Sequence, residues 1–298
     1  MTIFDGFHNS WVLANGVRTH YSWAGTEGPA VILLHGAGPG AGGAAGWRFM
    51  LPALAEAGYR AFAPDQLSMG LTDTRPHAWP VNGHQSLVDH VHDFIEALCL
   101  DQVYLVGNSQ GAYVAAKYAI DHPEKVEKVV YIGSNTIYQA MQEIPERKLR
   151  SFLEVIGYDF TEKSLRKFMN RNSVGDTIVP EELIQLRHHA ANRPGVREAN
   201  KAFDDYLAKM NSNTKLWDRF CIKDSLPKLK VPGKFIWGKH DAVASIEIAY
   251  KLEKLLPNIK FEYIDNCGHQ CQTDQPELVN QLVIDFLALK NEEAVTVK

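Results

Sequence analysis

The distribution of apolar positions divides the chain into alternating elements. Ala30-Val31-Ile32-Leu33-Leu34 is an unbroken apolar run that stops at His35-Gly36. A run of this length predicts a strand buried on both faces, as in a parallel sheet. Val103 to Val106 and Val129 to Ile132 read the same way, and Tyr59 to Pro64 is also strand-like. Between these runs the period changes from continuous to near 3.6, which predicts helices over Trp47 to Ala57, Leu87 to Leu98, and Ala112 to Ile120, the last ending before Pro123. Two shorter strand-like pieces, Trp11 to Ala14 and Val17 to Ala24, open the chain. Strand alternating with helix argues for an α/β architecture with a mostly parallel sheet and right-handed crossovers.

The alternation stops at about Asn135. From there to about Phe220 the chain reads as helical and charge-rich, with no buried-strand run. It resumes at Phe235 to Trp237, then Ile246 to Leu256, Phe261 to Ile264, and Leu278 to Leu289. The expected organisation is one sheet domain, 1–134 and 220–298, interrupted by a helical insertion at 135–219. The tail from Glu292 is expected to fray.

Composition narrows the function classes. Of the 298 residues, 45% are hydrophobic and 22% charged, which suits a globular chain and not a disordered one. Lys plus Arg is 31 against 35 Asp plus Glu, a formal net charge of −4. A mildly acidic chain lacks the basic face that nucleic-acid binding needs. No apolar run approaches the roughly 18 residues that cross a bilayer. The opening MTIFDGFHNS has neither a basic nor an apolar signal region, and four cysteines are too few for a disulfide framework. A cytoplasmic chain with reduced thiols is expected. Its expected partner is a small-molecule substrate, with no nucleic acid and no membrane; a homo-oligomer stays open.

The strongest chemical signal is Gly107-Asn108-Ser109-Gln110-Gly111, which follows one buried strand and precedes a helix. This is G-x-S-x-G in the context that gives it meaning: a sharp strand-to-helix turn that presents a serine nucleophile. A serine needs a base, and the base needs an orienting acid. The order expected with this motif is Ser, then an acid, then His. Asp241 follows the strand Phe235 to Trp237, and His269 follows Phe261 to Ile264, both past carboxyl strand ends, where open α/β sheets hold their sites. Among twelve histidines, this position singles out His269. His240 precedes the acid and breaks the order, and Asp265 is too close in sequence to His269 to face it readily.

An oxyanion needs two converging N–H groups. Gln110, directly after the serine, supplies one. The Gly-rich loop His35-Gly36-Ala37-Gly38-Pro39-Gly40-Ala41-Gly42-Gly43 supplies the other, from Ala37. That loop also matches G-x-G-x-x-G formally, with Asp65 at the distance of a ribose contact. Dinucleotide binding, however, leaves Ser109, Asp241 and His269 unexplained, and Pro39 is awkward in a pyrophosphate cradle. No G-x-x-x-x-G-K-[ST] is present.

These stretches resemble the α/β-hydrolase superfamily over nearly the whole chain. Within it, His35 to Gly43, Gly107 to Gly111 with its Asn108, and Cys267-Gly268-His269 are similar to the meta-cleavage product hydrolases, which split a carbon–carbon bond in ring-opened aromatic compounds. The resemblance implies an α/β-hydrolase fold whose helical insertion is a lid over the substrate. It implies no cofactor and no metal. It also implies a polar subsite for a substrate carboxylate and 2-oxo group, formed by Gly38, Asn108 and the lid arginine, here Arg187. Two further positions that help form this substrate-binding subsite depart from the family pattern. Phe49 stands two residues after the first-helix Trp, where asparagine is usual, and Gln270 follows His269, where tryptophan is usual. Ala112 also replaces a second glycine after the serine turn.

Other readings stay alongside. A carboxylesterase acting on an aromatic or hydrophobic ester needs the same triad, and a hydrolase-fold receptor or non-hydrolytic enzyme would use the pocket only to bind. Cys267, His269 and Cys271 do not follow a common zinc spacing. Cys99 is expected in the core and Asp65 in a turn. The run Arg147-Lys148-Leu149-Arg150 and the group Lys163, Arg166, Lys167 and Arg171 are expected on solvated helix faces.

Overall fold

The computed structural model describes residues 3–143, 149–172, 174 and 179–289. Eight strands form one sheet: β1 His8–Ala14, β2 Val17–Ala24, β3 Ala30–Leu34, β4 Arg60–Pro64, β5 Val103–Asn108, β6 Val126–Ile132, β7 Gly233–Gly238 and β8 Lys260–Ile264. Their order is β1-β2-β4-β3-β5-β6-β7-β8. β1 and β2 pair antiparallel, as do β2 and β4, and every other neighbouring pair is parallel.

The helices are α1 Gly43–Trp47, α2 Met50–Glu56, α3 His84–Ala97, α4 Gln110–Asp121, α5 Asn135–Ala140, α6 Phe152–Ile156, α7 Glu162–Asn172, α8 Glu181–Ala191, α9 Val196–Met210, α10 Thr214–Phe220, α11 Ile246–Leu255, α12 Cys271–Asp274 and α13 Pro276–Ala288. Every described helix or strand between β6 and β7 is a helix or a single 3-10 turn.

The apolar runs are continuous because both sheet faces are covered. Ile32 and Leu34 pack on one side with Leu87, Val91 and Phe94 of α3 and Val114 of α4. Val31 and Leu33 pack on the other with Leu51 and Leu54 of α2 and Val279 and Val283 of α13. Successive strand side chains point to opposite faces, so each run feeds two cores at once. A third cluster, including Leu165, Met169, Leu183 and Ile184, joins α7 to α8 and to Ala45.

β3 lies between β4 and β5, so the chain leaves β3 toward one side of the sheet and leaves β5 toward the other. A crevice opens at such a switch point, outside the carboxyl ends of the strands. The Gly-rich loop after β3 and Ser109 after β5 stand at this crevice.

Two expectations need correction. The single helix over Trp47 to Ala57 is two, broken at Arg48-Phe49. Pro52 has no N–H for the Arg48 carbonyl, and its ring would collide with that carbonyl in a continuous helix, so the helix restarts at Met50. Cys99 is exposed rather than in the core. It sits just past α3 with φ at 52°, where the chain turns out of the helix in a left-handed conformation. Of the basic run, Arg147 and Lys148 lie outside the described residues, as does the tail from Glu292, while Arg150 is exposed. Lys163, Lys167 and Arg171 are also exposed, and half-buried Arg166 pairs with Glu162 and Glu181 at 2.6 Å each.

Candidate active site

Ser109 stands between β5 and α4 with φ at 57°. A non-glycine residue in this region is strained and persists only where its surroundings enforce it. Several contacts do so. Its N–H donates to the Ile132 carbonyl at 2.9 Å, and the Ser134 hydroxyl donates to its carbonyl at 2.7 Å. Gly107 and Gly111 are required by close packing: a Cβ on Gly107 would run into the Gly111 backbone, and one on Gly111 into the carbonyl of Leu34. The two glycines let the nucleophile turn seat directly on the end of β3.

His269 and Asp241 lie side by side. Their Nδ1 to Oδ2 distance is 2.7 Å, and both are buried. The other Asp241 oxygen, Oδ1, accepts the N–H groups of Val243 and Ala244, each at 2.7 Å. These contacts fix the orientation of the carboxylate. The two rivals point elsewhere: His240 is exposed, and Asp265 is exposed and ion-paired with Lys239 at 2.9 Å.

Asn108 reaches across the crevice. Its Nδ2 donates to the carbonyls of Ile132 at 3.1 Å and His269 at 3.0 Å. Both donors of the amide are therefore committed to backbone, which leaves only its oxygen for any other partner. Ser134 and this tie across Asn108 are positioning contacts that sequence reasoning missed.

A cleft of about 680 Å³ borders these residues. Ala37, Asn108, His269 and Gln270 stand on the sheet side, and Phe152, Phe168, Met169, Val179, Leu183 and Arg187 on the side of α6 to α8. Gln110 opens α4, where first-turn N–H groups have no intrahelical partner. Its side chain is buried, with Nε2 at 3.5 Å from Nε2 of His84.

Arg187 is 5% exposed, and its Nε donates to the Pro39 carbonyl at 2.9 Å. Burial pulls its pKa down to about 10. Its guanidinium lies 5.7 Å over the ring of Phe168. Gly38 and Gly40 make room for it. A Cβ on Gly38 would come within 3.1 Å of its Nη2, and one on Gly40 would collide with its backbone. The Gly-rich loop is thus shaped by close approach to α8. Asp65 is committed to protein contacts. It is buried and accepts the N–H groups of Gly43 at 2.6 Å and Leu71 at 2.7 Å, with His20 Nδ1 also at 2.7 Å.

Phe49 is not at the cleft. It is 37% exposed, and the ring stacks beneath the guanidinium of its neighbour Arg48 at 4.3 Å. The break before α2 rotates Phe49 outward and leaves Arg48 bordering the cleft. An adjoining recess of about 240 Å³ is bordered by Asn108, Arg187, Gln270 and Gln272. Sequence reasoning missed Arg48 and Gln272, because neither falls in a recognisable motif. Among the described residues, no group of three or more His, Cys, Asp or Glu is placed to hold a metal ion, and no helix is long and apolar enough to cross a membrane.

A family model described as the alpha/beta hydrolase fold matches residues 29–276. The chain belongs to that family. This α/β hydrolase is 31% identical over 283 residues to a 2-hydroxy-6-oxo-2,4-heptadienoate hydrolase of Pseudomonas putida, covering 94% of this chain and 96% of the relative. It is 30% identical over 279 residues to a 2-hydroxy-6-oxo-6-(2'-aminophenyl)hexa-2,4-dienoic acid hydrolase of Metapseudomonas resinovorans, covering 93% and 90%. A solved meta-cleavage product hydrolase from Pseudomonas fluorescens IP01 superposes with a TM-score of 0.75 at 29% identity, over 93% of this chain and 97% of that one. With such relatives over nearly its whole length, the chain is an enzyme of the α/β hydrolase type.

Proposed function

We propose that this enzyme hydrolyses a carbon–carbon bond in a 2-hydroxy-6-oxo-dienoate, the product class of aromatic ring cleavage. The observation that carries this reading is Arg187, a buried cation facing the cleft that His269 and Asn108 also border. A buried charge is costly without a partner, and an arginine fork pairs with a carboxylate in two places. A neutral ester offers no such group. The dienoate names of relatives near 30% identity support the same substrate class.

Ser109 is the nucleophile, His269 its base, and Asp241 the group that fixes the imidazole tautomer and stabilises its charged form. The N–H groups of Ala37 and Gln110 hold the oxyanion. The enol of the substrate first becomes a ketone, so that the electrons of the broken bond pass into a conjugated carbonyl. Arg187 holds the carboxylate head while this happens. Ser109 Oγ then attacks the carbonyl while His269 takes its proton. The carbon–carbon bond breaks to leave an acyl-enzyme as His269 returns that proton to the leaving carbon fragment. Water, activated by His269, releases the carboxylic acid from Ser109. The helices from 135 to 219 act as a lid, since Phe152, Phe168, Leu183 and Arg187 form the cleft wall opposite the strand ends.

Ser109→Ala tests the nucleophile. It is expected to remove about a thousandfold or more of turnover while the fold survives, because only binding and the oxyanion hole remain. Near wild-type turnover on the best substrate would refute the assignment and favour a pocket that only binds.

A further inference from the structure

Arg48 borders the same cleft as Arg187 and is also buried, at 7% exposure. It comes from the link between α1 and α2, and its charge acts on Arg187. The arginine ion pairs among the described residues involve Arg75, Arg150 and Arg166, and neither Arg48 nor Arg187. Arg48 donates one Nη1 hydrogen bond to the Ala45 carbonyl at 2.9 Å, and its buried Nε has no partner among the described residues. Asp274 borders the cleft too and its field acts on Arg48, but this carboxylate accepts the Gly268 N–H at 2.8 Å and stands beyond ion-pair distance. Burial pulls both guanidinium groups down to about 10, so both are charged at neutral pH. Two desolvated cations therefore face one cleft in the free enzyme. A head with one negative oxygen pair would satisfy Arg187 and leave Arg48 with only the field of Asp274.

We propose that Arg48 is a specificity-determining residue that, with Arg187, forms a two-guanidinium pocket for a head bearing anionic oxygens on adjacent carbons. This rests on the dienoate reading above. It names the form in which the head is taken: the carboxylate together with the ionised 2-hydroxyl. Phe49 acts only through Arg48, as the ring that holds its guanidinium from below. The adjoining recess fits the same chemistry, because Gln272 is 1% exposed there and neither polar atom of its carboxamide has a partner among the described residues.

Calorimetric titration with oxalate and with oxamate tests the pocket without needing turnover. The two probes have nearly the same shape, but oxamate carries an amide in place of one carboxylate. The wild type is expected to bind oxalate about tenfold or more tightly than oxamate. Arg48→Gln should lose most of that preference, whereas Arg187→Gln should weaken both probes. Arg48→Lys should keep the preference. Arg48→Met, which retains the aliphatic stem, carries the same expectation as Arg48→Gln should the latter fail to melt cooperatively. No preference in the wild type, or an unchanged preference in both charge-removing variants, would overturn the proposal. Oxalate selectivity lost with Arg48, in an enzyme that cleaves no dienoate, would count against the proposed reaction and leave the pocket standing. Dienoate cleavage with selectivity unchanged in the variants would do the reverse.

Discussion

Asn108 and His269 are tied by a hydrogen bond from the Asn108 amide to the His269 carbonyl at 3.0 Å, across 161 residues of sequence. The same amide holds Ile132, so one side chain links the end of β5 to the end of β6 and to the loop after β8. Asn108→Ala would leave two buried carbonyls without this donor, at about 1–3 kcal/mol each. A lower melting temperature is expected, with kcat reduced about tenfold or more and KM little changed, because the residue positions the base. A rise in KM with kcat preserved would mean that Asn108 acts on the substrate instead.

Asp241→Asn keeps the shape of the buried pair and removes its charge. The asparagine amide would no longer hold the imidazole in the tautomer that accepts the serine proton. Turnover is expected to drop by roughly 10³–10⁴-fold with the fold intact. A loss below about tenfold, measured at saturating substrate, would show that the carboxylate is not coupled to the base.

Arg187 illustrates a conflict between stability and binding. Among the described residues its buried guanidinium has no ion-pair partner, so Arg187→Met should be neutral or stabilising, by as much as about 1–4 kcal/mol. The same change should abolish selection for acidic dienoates and leave neutral esters of similar size little affected. Thermal melting read beside a substrate comparison checks both halves. Strong destabilisation would mark Arg187 as a structural residue of α8.

Two buried histidines, His84 and His90, are expected to make stability fall in acid. His84, enclosed by the rings of Tyr113, Phe203 and Phe220, is pushed down to about 3 by burial, and His90 to about 4. Both bind a proton more readily in the unfolded chain, near 6.5. Their contribution is therefore fully present above about pH 6.5 and is lost as pH falls toward 4 and 3. His84→Phe should flatten the dependence of stability on pH in that window. A slope equal to the wild type's would remove His84 from the explanation.

Much of the fold was legible because strands buried on both faces leave uninterrupted apolar runs, as at Ala30 to Leu34. The position of Ser109 was legible because it directly follows such a strand, and those of Asp241 and His269 because they lie in the loops just past β7 and β8. Other features depend on packing that no local pattern encodes. Phe49 was misread as a cleft residue because the helix break forced by Pro52 turns it outward. Its neighbour Arg48 takes the place at the cleft and carries no motif. Cys99 reads as core by composition, yet the left-handed turn after α3 exposes it. Lys128 is almost fully buried in β6, a position where a lysine is unexpected. Its ammonium donates to the carbonyls of Leu287 at 2.8 Å and Phe286 at 3.3 Å, and also to Leu289. It thus caps the end of α13, a pairing across more than 150 residues that sequence alone does not reveal.

The most direct measurement is product analysis after the purified enzyme is given ring-cleavage dienoates beside aryl and alkyl esters. Carbon–carbon cleavage is expected, releasing a carboxylic acid and a shorter dienoate, with Ser109→Ala inactive on the same substrate. Rapid hydrolysis of simple esters with no cleavage of any dienoate would contradict it.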